Sequence, residues 1–256
     1  MLTTEGMSAA LQASVDASVA ELRAALAHYR GNPRVVIDVG ANVGLFSLLA
    51  VERGAELVYA LEPDPINFHS LVRNVRSANA QEAVVPLRVA AACIDWSMRE
   101  LYTPTRMGSG QRSLVYRTDC PYTLVPTISL WQMILALPHR VDYLKIDIEG
   151  GEWELFADPL APFALARVDY LNLETHTLLN RTFFGDVDRK AHARQVDTAT
   201  DALLAWYGGE VTITRGHSSR DPQEIREAMD HNATWLGPSR KLAPLYDSPL
   251  TTEEVK

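Results

Sequence analysis

Up to His176 the chain alternates between stretches with apolar residues at helical spacing and short continuous apolar runs. From Ser8 to Tyr29, Val15, Val19, Leu22 and Leu26 share one helical stripe, which predicts an amphipathic N-terminal helix stopped by Gly31-Asn32-Pro33. Val35 to Val39 then reads as a buried strand bearing one carboxylate, followed by a glycine turn and a helix over Leu45 to Arg53. A second strand is expected over Leu57 to Leu61 and a helix over Pro65 to Ser77, with Asp64 as its N-cap. Val84 to Ala92 reads as a third strand, and Arg99 to Thr103 and Ser113 to Arg117 as pieces of a hairpin or excursion from the sheet. Thr127 to Leu137 is expected to be helical, Tyr143 to Ile148 a strand, Gly151 to Phe156 a short helix and Val168 to Leu173 a fifth strand. Beyond His176 the pattern predicts a helix over Asp188 to Tyr207, a strand over Glu210 to Thr214, a helix over Glu224 to Met229 and a strand over Ala233 to Leu236.

Strands alternating with helices predict an α/β fold: a doubly wound, mostly parallel Rossmann-like sheet of about seven strands with helices on both faces. We divide the chain into an N-terminal helical segment (1–33), a Rossmann-like core (34–177) and a segment (178–256) that completes the same domain. In this segment Leu178 to Val196 is expected to act as a lid.

The chain has 256 residues, 47% of them apolar and 22% charged, which excludes collagen-like, disordered and coiled-coil classes. With 24 Lys and Arg against 32 Asp and Glu the net charge is −8, so nonspecific attraction to nucleic acid is not expected. No uncharged apolar stretch approaches the roughly 18 residues of a membrane span, the N-terminus lacks signal-peptide character, and Cys93 and Cys120 are the only cysteines. These features predict a cytoplasmic protein. The same helix, Ser8 to Tyr29, is a candidate contact for a homodimer.

Ligands of doubly wound sheets sit beyond the carboxyl ends of the strands. There the chain places Asp38-Val39-Gly40-Ala41-Asn42-Val43-Gly44, in which G-x-N-x-G replaces the G-x-G-x-x-G that admits a pyrophosphate. Glu62 closes the second strand, where an acid accepts hydrogen bonds from both hydroxyls of a ribose. Farther on, period-2 alternation sets Lys145, Asp147 and Glu149 on one face of their strand and Leu144, Ile146 and Ile148 on the other, and the fifth strand repeats the pattern, with Asn172, Glu174 and His176 facing one way and Leu171 and Leu173 the other. Ionisable stripes in covered strands are costly, which points to chemistry. Lys145 is open to a second reading, as the neutraliser of a buried carboxylate. Glu152 and Glu154 are expected on a solvated helix face, and the cysteines as inert packing.

Val36 to Gly44, Leu61-Glu62-Pro63 and Leu144-Lys145-Ile146-Asp147-Ile148-Glu149-Gly150-Gly151-Glu152 resemble the three signature blocks of the FkbM family of methyltransferases dependent on S-adenosylmethionine (SAM). Trp131 departs from the family's frequent Asp and Gly151 from its frequent Ala. The resemblance implies methylation of a hydroxyl on a sugar, glycolipid or other natural product. It further implies that Asp38, Gly40, Asn42 and Gly44 hold the methionine moiety, Glu62 the ribose and the backbone around Ala91 and Ala92 the adenine. An alcohol needs activation before it attacks a methyl carbon. Asp147, Glu174 and His176 are expected to bind a Mg²⁺ for this, with Glu149 or His176 as general base in a metal-free alternative.

Overall fold

Four aliphatic side chains and one carboxylate make up Val35–Val39, and such a run is stable only with both faces covered. The computed structural model describes residues 9–93, 97–103, 112–114, 121–176, 198, 207–216 and 234–235. In chain order its first elements are α1 (Ala9–Ala27), β1 (Val35–Val39), α2 (Leu45–Glu52), β2 (Leu57–Leu61), α3 (Pro65–Ser77), β3 (Val84–Leu87), β4 (Ala90–Ala92) and β5 (Met98–Tyr102). There follow β6 (Tyr122–Ser129), α4 (Leu130–Ala136), β7 (Val141–Ile146), α5 (Glu152–Phe156), α6 (Ala161–Leu165), β8 (Val168–His176), β9 (Glu210–Gly216) and β10 (Thr234–Trp235).

Seven strands form the main sheet in the order β10-β9-β8-β7-β1-β2-β3, all parallel except β10 at one edge. The chain leaves β1 for β2 and β3 on one side and returns to β7 on the other, so the loops after β1 and β7 part at a switch point. Alternation along the strands sorts the core into two layers. Ile37, Val39, Leu144, Ile146, Leu171 and Leu173 pack with Trp131, Leu155 and Leu165, whereas Val36, Tyr143 and Tyr170 pack with Leu26, Phe46 and Leu71.

Three expectations need correction. The strand expected over Val84 to Ala92 is two strands: β3 is the sheet edge, the place where Pro86 is tolerated, and β4 leaves to join β6 and β5 in a separate three-stranded sheet. Thr127 and Ile128 belong to β6 and not to a helix, because Val125, Thr127 and Ser129 are buried at period 2; the Ser129 hydroxyl then accepts the Gln132 N–H to start α4. The strand expected to reach Ile148 ends at Ile146, and Glu149 and Gly150 follow in left-handed conformations, φ 58° and 106°. The short helix α6 had no counterpart in the pattern. The expected lid over Leu178 to Val196 and the helix over Glu224 to Met229 lie outside the described residues, as does most of Asp188 to Tyr207 and of Ser113 to Arg117. Among the described residues no helix is long and apolar enough to cross a membrane.

Asp64 caps α3 as expected: its Oδ1 accepts the N–H groups of Ile66 (2.9 Å) and Asn67 (2.8 Å), while its Oδ2 lies 3.0 Å from Arg112 Nε. Asp64→Ala is expected to lower stability by about 1–2 kcal/mol, read as a shifted urea midpoint at unchanged slope. A midpoint equal to that of the parent would show that the cap is replaced by solvent.

Candidate active site

At the switch point a cavity of about 450 Å³ is lined by the residues that follow β1, β2 and β7 and, on its far side, by Arg99, Tyr102 and Arg112 of the small-sheet region. Of the residues expected to hold a cofactor, Gly40, Asn42, Glu62, Ala91 and Ala92 line it. Asp38 and Gly44 do not. Gly44 adopts φ 86° at the start of α2, where a Cβ would come within 2.4 Å of Leu71 Cδ1, so its smallness serves the packing of α2 on α3. Asp38 is fully buried under α2: its Oδ2 accepts the Ser47 hydroxyl at 2.7 Å and its Oδ1 is 3.6 Å from Lys145 Nζ.

The loop after β1 is shaped by backbone constraints. Gly40 takes φ 81° and Asn42 φ 52°, and the N–H groups of Gly40 and Ala41 both donate to Leu61 O, at 3.0 and 2.9 Å. Glu62 clamps this loop. Its Oε2 accepts the Asn42 N–H at 2.7 Å and its Oε1 the Asp64 N–H at 2.9 Å. A carboxylate has about four lone-pair sites, so about two remain for hydroxyl donors in the cavity. Burial pushes the Glu62 carboxyl up to about 7, against the pull of its two N–H partners. The buried Asn42 Oδ1 has no hydrogen-bond partner among the described residues, leaving an acceptor for a ligand N–H or water.

Strand register brings the second group together. Asp38 on β1 stands opposite Lys145 on β7, and Lys145 opposite Asn172 on β8. Lys145 Nζ donates to Asp147 Oδ2 at 3.1 Å; burial disfavours its charge, but Asp147 and Asp38 outweigh that and keep it protonated. Lys145 thus neutralises the buried Asp38 and pairs with Asp147 at the cavity wall.

His176, at the end of β8, is surrounded by acids. Its Nδ1 is 3.0 Å from Glu152 Oε1, and its Nε2 is 3.5 Å from Glu174, 3.7 Å from Glu149 and 3.9 Å from Asp147. Burial opposes the charged ring, but the hydrogen bonds of Glu152 and Glu174 and the surrounding charge raise its pKa well above the ordinary value. Burial likewise works against Asp147, yet Lys145 and His176 hold its carboxyl below the usual range. Glu149 goes the other way: burial pushes it up to about 7 despite His176. Ligand atoms of Asp147, Glu149 and His176 lie within 4.8 Å of one another, so Glu149 stands in this triad where Glu174 was expected. Asp147 and Glu149 line the cavity together with the loop residues; His176, within 4 Å of both, and Glu174 are not part of its lining.

Two residues escaped the sequence reading. Glu152 is fully buried and not on a solvated face. An acid at the first turn of a helix, after two glycines, is the signal that it folds back onto backbone N–H groups. Glu21 of α1 is raised by burial and then by Glu174 and Asp147, so the N-terminal helix brings a further carboxylate into the field of the cluster. Glu154 matches the expectation only in part: it is 31% exposed and paired with Arg99 at 2.5 Å.

A family model described as the Methyltransferase FkbM domain matches residues 38–206, about two thirds of the chain. The chain belongs to the FkbM methyltransferase family. Among solved structures it is similar to the FkbM methyltransferase of Methylobacillus flagellatus, with 16% identity over 74% of this chain and 41% of that one and a TM-score of 0.42. It is also similar to a putative RNA methyltransferase from Pyrococcus horikoshii (17% identity, 59% of this chain and 55% of that one, TM-score 0.31). A third is the TYW2 protein of M. jannaschii in complex with AdoMet (16%, 53% and 46%, TM-score 0.27). The chain spans less than half the length of the Methylobacillus protein. No curated protein matches it. The mostly parallel sheet with helices on both faces is the doubly wound α/β fold that the sequence pattern predicts, and it fits the class I methyltransferase fold that the family resemblance implies.

Proposed function

We propose that this FkbM-family chain is a SAM-dependent O-methyltransferase acting on a hydroxyl of a sugar, glycolipid or other natural-product acceptor. The observation that carries the reading is that Glu62, with lone pairs to spare, and the carboxylates Asp147 and Glu149 line one cavity. Its volume is of the size that encloses a small organic ligand. Bound there, SAM supplies an electrophilic methyl group on its sulfonium.

The rest is done by the chain's own residues. Glu62 accepts the two ribose hydroxyls, Asn42 offers its free amide oxygen, and the backbone of Ala91 and Ala92 flanks the base. Glu149 takes the acceptor's proton: it lines the cavity, and a carboxyl pushed up to about 7 is matched to proton transfer near neutral pH. His176 is held protonated by its acids, which suits it to steady the ionised cluster more than to act as base. The concentration of carboxyl groups selects a neutral or cationic acceptor over an anionic one.

A second reading is favoured by the close approach of Asp147, Glu149 and His176: the two carboxylates offer hard oxygen ligands for Mg²⁺, with His176 as a ligand once it has lost its proton. Loss of turnover in chelator and recovery on Mg²⁺ would select it.

The test of the cofactor site is titration of S-adenosylhomocysteine (SAH) into the protein by calorimetry at several pH values. Glu62 must be ionised to accept two hydroxyls, and its raised pKa keeps it protonated until about pH 7. Affinity is therefore expected to rise about tenfold between pH 6 and pH 8, and Glu62→Gln to bind more weakly and without that slope. Absence of binding by the parent protein would overturn the reading.

A further inference from the structure

The loop from Asp147 to Gly151 holds its shape against local preference. Glu149 sits at φ 58° and Gly150 at φ 106°, and a glutamate pays a steric cost in that region. One oxygen atom braces both sides of the turn. Glu152 Oε1 accepts the N–H of Ile148 and the N–H of Gly150, each at 3.2 Å, so the residue between them is fixed from either flank.

The same oxygen lies 3.0 Å from His176 Nδ1. That oxygen already accepts two backbone N–H groups, so Nδ1 is the donor in this contact and Nε2 is turned away from Glu152, toward Glu174, Glu149 and Asp147. Glu152 is fully buried, and its second oxygen, Oε2, has no hydrogen-bond partner among the described residues. The N–H groups it holds belong to Ile148 and Gly150, which precede α5, so the contact braces the loop and is not a cap of the helix itself. A carboxylate buried at this cost sits where a charge is needed opposite the imidazole.

We infer that Glu152 is a positioning residue that joins the 147–151 loop to His176 and sets the 3.7 Å approach of the ring's Nε2 to Glu149. Strand β8 supplies His176 and, in Glu174, a partner 3.5 Å from Nε2, whereas Nδ1 is met by Glu152 of α5, and the loop alone leaves Glu149 in an unfavourable backbone conformation. Through one atom Glu152 restrains both. Its part in catalysis rests on the proposal that Glu149 is the base; its hold on His176 does not.

The test uses the full chain with ¹⁵N-labelled histidine, its seven histidines resolved in proton-detected nitrogen spectra and the His176 ring assigned by its absence in His176→Gln. The parent is expected to show a far-downfield, slowly exchanging Nδ1 proton. Glu152→Gln keeps an oxygen for the two N–H groups but removes the charge, and should move that proton upfield. Glu152→Ala should lose it to exchange with water. A role confined to capping predicts that the melting temperature falls while the His176 resonances stay in place, and that result would overturn the proposal, as would a parent spectrum without the protected proton. If the Ala variant does not fold, the Gln variant decides. SAH titration of the parent is run alongside: failure to bind overturns the cofactor reading only, since the ring signals report on Glu152 with or without the cofactor.

Discussion

Glu149→Gln is expected to lower turnover by about 10²- to 10⁴-fold while SAH still binds, the size of effect that follows loss of a general base. Gln keeps the volume of the side chain and cannot take a proton. Turnover is to be read as SAH release against a panel of sugar and natural-product hydroxyls. In the parent the rate should climb with pH and level off above about 7, because burial holds the proton on Glu149 to that point. The same shift has a consequence for stability. A carboxyl whose pKa is raised on folding stabilises the fold fully below its unfolded value of 4.5 and loses that contribution as the pH rises to about 7. Glu149→Gln should therefore melt above the parent at pH 8 and near it at pH 4. Full turnover in the Gln variant would remove Glu149 from the base role and leave activation to a cation held by its neighbours.

The second large effect is steric. A Cβ on Gly40 would stand 1.8 Å from the carbonyl oxygen of Asp147, at a residue whose φ of 81° already disfavours any side chain. Neither partner can retreat: the Gly40 N–H donates to Leu61 O at 3.0 Å and the Asp147 N–H to Val39 O at 3.1 Å, so both loops are tied to the sheet. Left-handed strain and overpacking together make Gly40→Ala worth about 2–5 kcal/mol in stability, with loss of SAH binding because the loops that line the cavity are forced apart. Gly31 is the control. It has φ 104° with nothing within 4 Å of its would-be Cβ, so Gly31→Ala should cost about 1–2 kcal/mol of conformational strain and leave SAH affinity as it was. Equal losses in the two variants would show that backbone strain, and not the meeting of the loops after β1 and β7, governs this position.

The legible parts of this protein are those governed by neighbours in the chain. Strands β1 and β2 and helix α3 appear at the residues where apolar runs, Asp64 and Pro65 predicted them, because a buried strand needs apolar side chains and a helix start needs its cap. Gly40, Asn42 and Glu62 were legible as cavity residues since each stands at a strand end of a doubly wound sheet. Where a local pattern is ambiguous, the structure departs from the expectation. Thr127 and Ile128 suit a strand as well as the first turn of a helix, and only their place beside Ala90 and Ala91 in β4 decides.

Sequence alone determined the fold class and the carboxylates that reach the strand ends, since alternation assigns each residue to a face without reference to any other segment, and the family through the three motif blocks and the family model that matches residues 38–206. The tertiary structure decided how those groups meet. Asp38 faces α2 by the alternation of β1, but its counterion Lys145 came from β7, and Glu152 went from an expected surface position to the buried centre beside the His176 that β8 delivers. Such pairings join residues far apart in the chain, and no local periodicity carries the order in which strands lie side by side. Whether a carboxylate is a solvated charge, a counterion or a base depends on the partner that order places within about 4 Å of it.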